Sequence, residues 1–483
     1  MKRQTPFALE RRTIDHIPAA ERHGKPWHQL ALWFSTNVQI NTMITGAVTI
    51  GMGLDLTWAI ISIVVGNLVG GLFMAYHSAQ GPQLGLPQMV QSRAQFGFYG
   101  AVLPSAMVVL MYLGFAVEGG LVAGQAIATS AHVPKIAGIV VFNLVLLLIP
   151  LVGYRLIHAA GRIVAVISGV AFLALFVWLV PHLPSHPSDA TTHSVGAVVS
   201  AMSVCVAWQV TWAPYVSDYS RYLPEDTPAR VTFTYTYLGS AVGGAGTMII
   251  GAMAAAVNSA AVNSDAIGFL AGRFPSVSGL LVAALLLGLV PAGAEGPYGA
   301  FLTVLSAVSA DGRVRSTAAA RAIFVTCFAT VASVLAALAG GSLLATFQNI
   351  TLFVLALLVP WSAINLVDYY VVRRGHYDIP ALLTKDGRYG TCNWWAVLIY
   401  LVSIGAELLF INSGRYVGPL VGFLGGADLS WLAGLVVGGM GYYVCAKLIR
   451  DRRPGPVARP SEASALPGPA DPVRGDHRSA DRT

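Results

Sequence analysis

Twelve runs of predominantly apolar residues, near 30–50, 56–76, 101–128, 134–152, 161–181, 196–216, 231–256, 277–309, 318–338, 343–370, 393–412 and 430–449, leave this chain little choice of solvent. A helix of about 20 such residues matches a hydrocarbon core about 30 Å thick. Only 11% of the 483 residues are charged, against about 25% in an average soluble domain. Lipid offers no partner for backbone N–H and C=O groups, so runs of this length must pair them internally as helices. The chain is therefore expected to be an all-α membrane protein of twelve transmembrane helices. A transmembrane domain over 30–450 would follow a cytoplasmic segment 1–29 and precede a tail 451–483.

Lys and Arg of short loops stay on the cytoplasmic side of a membrane. With Lys2, Arg3, Arg11, Arg12, Arg22 and Lys25 inside, the even-numbered connections hold Arg93, Arg155, Arg162, Arg221, Arg230, Arg313, Arg315, Arg321, Arg373, Arg374, Lys385 and Arg388. The opposite loops hold only Lys135, Arg273 and Arg415. Both termini should thus face the cytoplasm from a plasma or inner membrane. This distribution accounts for the net charge of +7 and offers no basic face for nucleic acid. The residues before the first run mix acidic and basic groups over too great a length for a cleavable signal peptide.

Cys205, Cys327, Cys392 and Cys445 lie far apart with no metal spacing, which reads as small apolar packing. His182, His186, Asp189 and His193 match no zinc signature and read as a solvated loop. Ser264 to Pro275 shows a short helical pattern opened by a Ser/Asp cap, between the seventh and eighth spans. The tail from Asp451 is rich in Pro, Gly, Ser, Asp and Arg, a composition that cannot bury enough apolar surface to order itself.

Two spans carry polar residues midway. Ser35-Thr36-Asn37-Val38-Gln39-Ile40-Asn41-Thr42 interrupts the first, and Trp208-Gln209-Val210-Thr211-Trp212-Ala213-Pro214 the sixth. Broken helices at matching places in two halves point to a transporter's substrate site. Gln39, Trp208, Gln209, Thr211 and Trp212 supply amide, hydroxyl and indole groups there. Two carboxylates lie at mid-membrane, Glu118 in the third span and Glu295 in the eighth, where Pro291, Gly293, Gly296 and Pro297 loosen the helix. A charge at that depth costs at least about 2.5–3.5 kcal/mol, so each should face a cavity or a partner. Phe115 stands three residues before Glu118 and is expected on its face, with Tyr112 beside it. An aromatic wall with amide and carboxyl groups suits a flat, hydrogen-bonding heterocycle. Asp218 with Arg221 at the end of the sixth span have the spacing of a helix-end ion pair and read as a gate or latch, as does Asp368 with Arg373-Arg374 after the tenth.

In order along residues 12–450, the chain carries Ile17-Pro18 with Glu21-Arg22-His23-Gly24, Asn37-Val38-Gln39-Ile40, Gly66-Asn67, Arg93-Ala94-Gln95-Phe96-Gly97 with Leu103-Pro104, Asp218-Tyr219-Ser220-Arg221-Tyr222, Tyr298-Gly299, Val367-Asp368-Tyr369-Tyr370 and Asn393-Trp394. In these motifs it resembles the nucleobase:cation symporter-1 family of purine, cytosine, allantoin and hydantoin permeases. The resemblance implies a LeuT-like fold of two inverted five-helix repeats, here about 30–181 and 196–370, plus two C-terminal helices at about 393–449. It implies substrate contacts at Gln39, at Phe115 with Gly119 or Glu118, at Trp208, Gln209 and Thr211, and at Glu295 or Gly296. Relatives usually place Trp and Asn where Phe115 and Glu295 stand here.

Sodium-coupled relatives hold the ion between first-helix carbonyls, here those of Ser35 and Val38, and side-chain oxygens of the eighth helix. The corresponding stretch Leu289-Val290-Pro291-Ala292 carries no hydroxyl. Proton coupling through Glu295 or Glu118 is then the sharper expectation, since a carboxyl in an apolar site can titrate near neutral pH. Together these features predict a secondary transporter, without a cofactor, that imports a nucleobase-like heterocycle with a proton or sodium ion. An amino-acid or amine carrier on the same fold, or a membrane enzyme using Glu118 and Glu295 as acid and base, are the alternatives.

Overall fold

The computed structural model describes residues 15–152, 154–185, 194–308, 317–339 and 341–451, and contains no strand among them. Each apolar run falls on helix. Seven of the described helices are long and apolar enough to cross a bilayer, and shorter apolar helices occupy the remaining positions. The side chain of Glu295, the loop histidines 186 and 193, Asp189, and the tail from 452 lie outside the described residues.

The first run is two helices, α1 (Trp27–Asn37) and α2 (Ile40–Gly51). Val38 turns out of helical geometry at ψ 71°, and Gln39 is extended at φ −147°, ψ 162°. The second run is α3 (Leu56–Leu84), opened by Asp55, whose side chain accepts from the Trp58 N–H at 2.9 Å. Short helices α4 (Gln88–Gln91) and α5 (Arg93–Phe96) lead into α6 (Val102–Ala131), then α7 (Lys135–Val152) and α8 (Tyr154–Leu179). The sixth run divides into α9 (Val195–Val210) and α10 (Ala213–Ser220) at Thr211–Trp212, just before Pro214, whose ring can supply no backbone donor.

The seventh run lies on α11 (Ala229–Ala271), whose helical course is broken by non-helical residues at Asn258 and Asp265. The short helix expected after Ser264 is its last segment. Asp265 does cap its last segment, accepting from the Gly268 N–H at 2.9 Å. The chain continues through α12 (Ser278–Val308), α13 (Ala318–Leu338), α14 (Leu343–Leu366) with a π-helical extension over Val367–Val372, α15 (Ile379–Leu382), α16 (Trp394–Leu408) and α17 (Ser430–Asp451).

The elements sort into two bodies. α1, α2, α3, α9, α10 and α11 form a bundle, while α6, α7, α12 and α13 pack as a second layer, with α14 bridging them. Packing rather than hydrophobicity drives helix association in lipid, and small residues permit close approach. The contact of α2 with α11 shows this: a Cβ on Gly46 would meet the main chain of Met248, and one on Gly251 the main chain of Met43. All four cysteines are free; Cys205 is buried as expected, but Cys327 is exposed on α13, so it is no core packer.

Candidate functional site

A narrow cavity lies between the two bodies, next to both helix breaks. From the second layer, α6 contributes Tyr112, Phe115, Ala116 and Gly119, α7 contributes Phe142 and Leu146, and α12 contributes Leu289, Gly293 and Gly296. From the bundle, Gln39 and Asn41 come from the first break, and Trp208, Trp212 and Tyr215 from the second. The last three stand at i, i+4 and i+7, the spacing that keeps one helical face. The break between α9 and α10 is mild enough to preserve it.

The rings form a continuous wall. Phe115 lies nearly parallel to Trp212, with centroids 6.2 Å apart and an interplanar angle of 21°. It meets Trp208 edge-on at 5.7 Å and 72°. Trp212 also touches Trp208 and Tyr215, and Trp33 backs it from α1. Phe115 and Trp212 are thus the near-parallel pair of the wall, with Trp208 closing the corner. Stacked and edge-to-face contacts are both favourable arrangements of ring quadrupoles.

Polar groups are few at the cavity, and two of them are unpaired. Asn41 Oδ1 and Trp212 Nε1 are buried, and neither has a hydrogen-bond partner among the described residues. A buried polar atom left in that state costs about 1–3 kcal/mol. Both belong to cavity-lining residues. Gln39 uses its amide nitrogen to hold the break, donating to the Thr36 carbonyl at 3.1 Å.

Three residues expected to touch substrate turn elsewhere. Gln209 does not line the cavity: its Nε2 donates to Asn67 Oδ1 at 2.7 Å and to the Ser240 carbonyl at 3.0 Å, and its Oε1 accepts from Ser240 Oγ at 2.6 Å. Thr211 donates to the Trp208 carbonyl at 2.6 Å, closing its own turn. Glu118 does not share the cavity face with Phe115. It is fully buried toward α14, where its Oε1 accepts from Thr351 Oγ1 at 3.3 Å. Gly119 and Gly296 do line the cavity, while Glu295 lies on α12 without a described side chain.

At the first break the Ser35 carbonyl accepts from the Val38 N–H at 3.1 Å, and the Ser35 hydroxyl donates to the Leu32 carbonyl at 2.9 Å. Asp218 and Arg221 lie together: Arg221 Nε donates to the Asp218 carbonyl at 3.3 Å, and Asp218 Oδ1 accepts from the Gln88 N–H at 2.8 Å. Asp368 forms the fuller cluster. Its carboxylate accepts from Arg373 Nε at 3.0 Å, Tyr377 Oη at 2.7 Å, Tyr442 Oη at 2.9 Å and Gln95 Nε2 at 3.0 Å.

Sequence reasoning missed Tyr215, Phe142 and Leu146 as cavity residues. The heptad spacing from Trp208 could have found Tyr215; nothing local marks the other two. It also left Asn37 without a role. Trp208 Nε1 donates to Asn37 Oδ1 at 2.9 Å, and Asn37 Nδ2 donates to the Trp33 carbonyl at 2.8 Å and to Ser240 Oγ at 3.2 Å. With Gln209 and Asn67, this amide network ties both breaks to α3 and α11.

Residues 16–434 match the family described as permease for cytosine/purines, uracil, thiamine, allantoin. A Bacillus subtilis protein named putative purine-cytosine permease YxlA is 37% identical over 449 residues, covering 92% of this chain and 98% of its own length. The Emericella nidulans purine-cytosine permease fcyB is 24% identical over 453 residues, covering 90% and 87%. Among solved structures, Mhp1, described as a nucleobase-cation-symport-1 family transporter in a closed conformation with bromovinylhydantoin bound, superposes with a TM-score of 0.69 at 17% identity over 92% of this chain and 97% of its own. That likeness establishes the LeuT-like fold. The family match runs through both broken spans and the cavity between them, and the chain belongs to the cytosine/purine, uracil, thiamine and allantoin permeases, the nucleobase:cation symporter-1 family.

Proposed function

We propose that this membrane permease imports a nucleobase or a closely related planar nitrogen heterocycle, coupled to a cation, by alternating access. The observation that carries the substrate class is the unpaired Asn41 Oδ1 acceptor and Trp212 Nε1 donor at an aromatic cavity. Aminopyrimidines and purines present N–H or NH₂ groups beside ring nitrogens or carbonyls, so one flat edge can pair with both. Its face would stack on one ring of the wall while a second ring meets its edge. The Bacillus and Emericella relatives, both named as purine-cytosine permeases, support the same class. An amino acid would bring two charges into a site whose described lining holds none.

The Lys and Arg distribution supports an orientation with both termini in the cytoplasm. Purified protein in proteoliposomes should take up radiolabelled cytosine or a purine against a gradient, and unlabelled amino acids should fail to compete. Uptake inhibited by amino acids but by no nucleobase would overturn the substrate class.

A further inference from the structure

Glu118 occupies the partition between two spaces. Its neighbour Gly119 lines the central cavity, and its other neighbour Val117 lines a separate apolar groove bounded by α6, α13 and α14. The carboxyl itself reaches neither. It is fully buried, accepts one hydrogen bond from Thr351, and leaves Oε2 without a partner.

Among the described residues no cation is paired with it, although Arg415 lines the neighbouring groove. The helices packed against α6 are α2, α7, α11, α12, α13 and α14. Their charged side chains are Lys135, Arg230, Asp265 and Arg321 near helix ends, plus Glu295 on α12; Cys327, Tyr235, Tyr237 and Tyr298 complete their titratable groups. α2 and α14 carry none. The nearest amide of α7, Asn143, is spent on Ser333 Oγ at 3.0 Å. An ionised carboxylate with one hydrogen bond and no counter-charge cannot persist in such a place, so the packed arrangement requires the neutral acid. An open oxygen alone does not mark a functional acid, since Glu407 on α16 is also fully buried with neither oxygen partnered and lines neither space. What sets Glu118 apart is its place at the seam between the bridging helix and the second layer, between the cavity-lining Gly119 and the groove-lining Val117.

We propose that Glu118 binds the coupling proton of this transporter. This rests on the cation-coupled permease reading above. With the proton bound, the Thr351 contact stays dry and α6 and α14 close over the substrate. When the seam opens to the cavity, water reaches Oε2, the O–H bond breaks, the proton passes to that water, and the carboxylate remains hydrated until it is reprotonated from the other side. One proton then moves with each substrate.

The test combines three readouts on wild type, Glu118→Gln and Thr351→Val in proteoliposomes. Labelled nucleobase counterflow reports exchange, accumulation under an imposed pH gradient reports coupling, and an entrapped pH dye reports proton movement. Wild type should acidify the lumen as it accumulates nucleobase; Glu118→Gln should exchange at a near wild-type rate yet accumulate at least tenfold less, with no acidification. Accumulation with acidification by Glu118→Gln, or wild-type uptake without acidification, overturns the proposal. Infrared difference spectra decide proton occupancy without any substrate: a carboxylic C=O band should shift in Thr351→Val and vanish in Glu118→Gln. Absence of that band in wild type overturns the proposal, whereas failed nucleobase counterflow with the band present overturns only the substrate class.

Discussion

Replacing Trp212 by Phe removes a single donor from the cavity and little else from the wall. Phe at this position keeps a ring against Phe115, now 6.2 Å away and nearly parallel, and against Trp208 at 5.7 Å. What goes is Nε1–H, which is buried without a protein partner. If that hydrogen serves the substrate, its loss removes a bond of about 0.5–1.5 kcal/mol, or up to about 3 kcal/mol where the substrate acceptor is left buried and unpaired. At 1.4 kcal/mol per factor of ten, dissociation constants should rise between about 2-fold and 100-fold. Folding stability should fall only by the packing that the smaller ring gives up, because no intramolecular hydrogen bond is lost. Affinity can be read by radioligand binding in detergent and stability by thermal melting of the same preparation.

The smaller ring also removes some packing area, so the donor's share needs a cross-check. Ligand analogues in which the accepting ring nitrogen is replaced by C–H lack the partner for Nε1. Wild type and Trp212→Phe should bind such an analogue almost equally, the interaction energy of the cycle appearing only with the parent ligand. Equal losses for parent and analogue would show that the N–H plays no part in recognition. Unchanged affinity for the parent ligand would likewise remove the N–H from recognition, whatever the melting temperature does.

Asn41→Leu should weaken binding by a comparable factor, most for ligands rich in N–H donors, in the same radioligand assay. Gln209→Leu breaks bonds to Asn67 and Ser240; at about 0.6 kcal/mol for an average interhelical bond in lipid and about 1.7 at most, it should cost about 1–3 kcal/mol in thermal melts without changing the ranking of substrates. Gly46→Ala sets a Cβ against the Met248 main chain and should sharply reduce the monodisperse fraction in size-exclusion chromatography. Asp368→Asn strips the counter-charge from Arg373, whose side chain is 28% exposed; the cost should fall near 2 kcal/mol, between the exposed and buried limits, and be measurable as a lower melting temperature.

Both helix breaks were legible because lipid penalises polar residues that lack a purpose. Val38–Gln39 and Thr211–Trp212 fall where amides, hydroxyls and a following proline interrupt apolar runs. The aromatic wall was legible for the same reason. Rotation about each helix was not. At about 100° per residue, Gly119 lies about 40° to one side of Phe115 and Tyr112 about 60° to that same side, whereas Glu118 lies about 60° to the other. A three-residue spacing therefore spans the edge of a face as easily as its centre, and only the position of α14 decides which side is cavity. Likewise Gln209 stands about 100° from Trp208 and so faces Asn67 and Ser240. Phe142 and Leu146 carry no local mark, because a plain apolar residue in a plain apolar helix looks the same against lipid, protein or ligand.

The amide network through Asn37, Asn67, Gln209 and Ser240 divides the cavity into a fixed half and a free half. Every polar atom it commits to holding the breaks together is one that selection cannot readily retune for a new cargo. New specificities are then most accessible on the opposite wall, at Phe115, Ala116, Phe142 and Leu146, whose apolar side chains make no hydrogen bond to the bundle. A mutational library restricted to those four positions should return altered cargo preference far more often than one of equal size placed on α9.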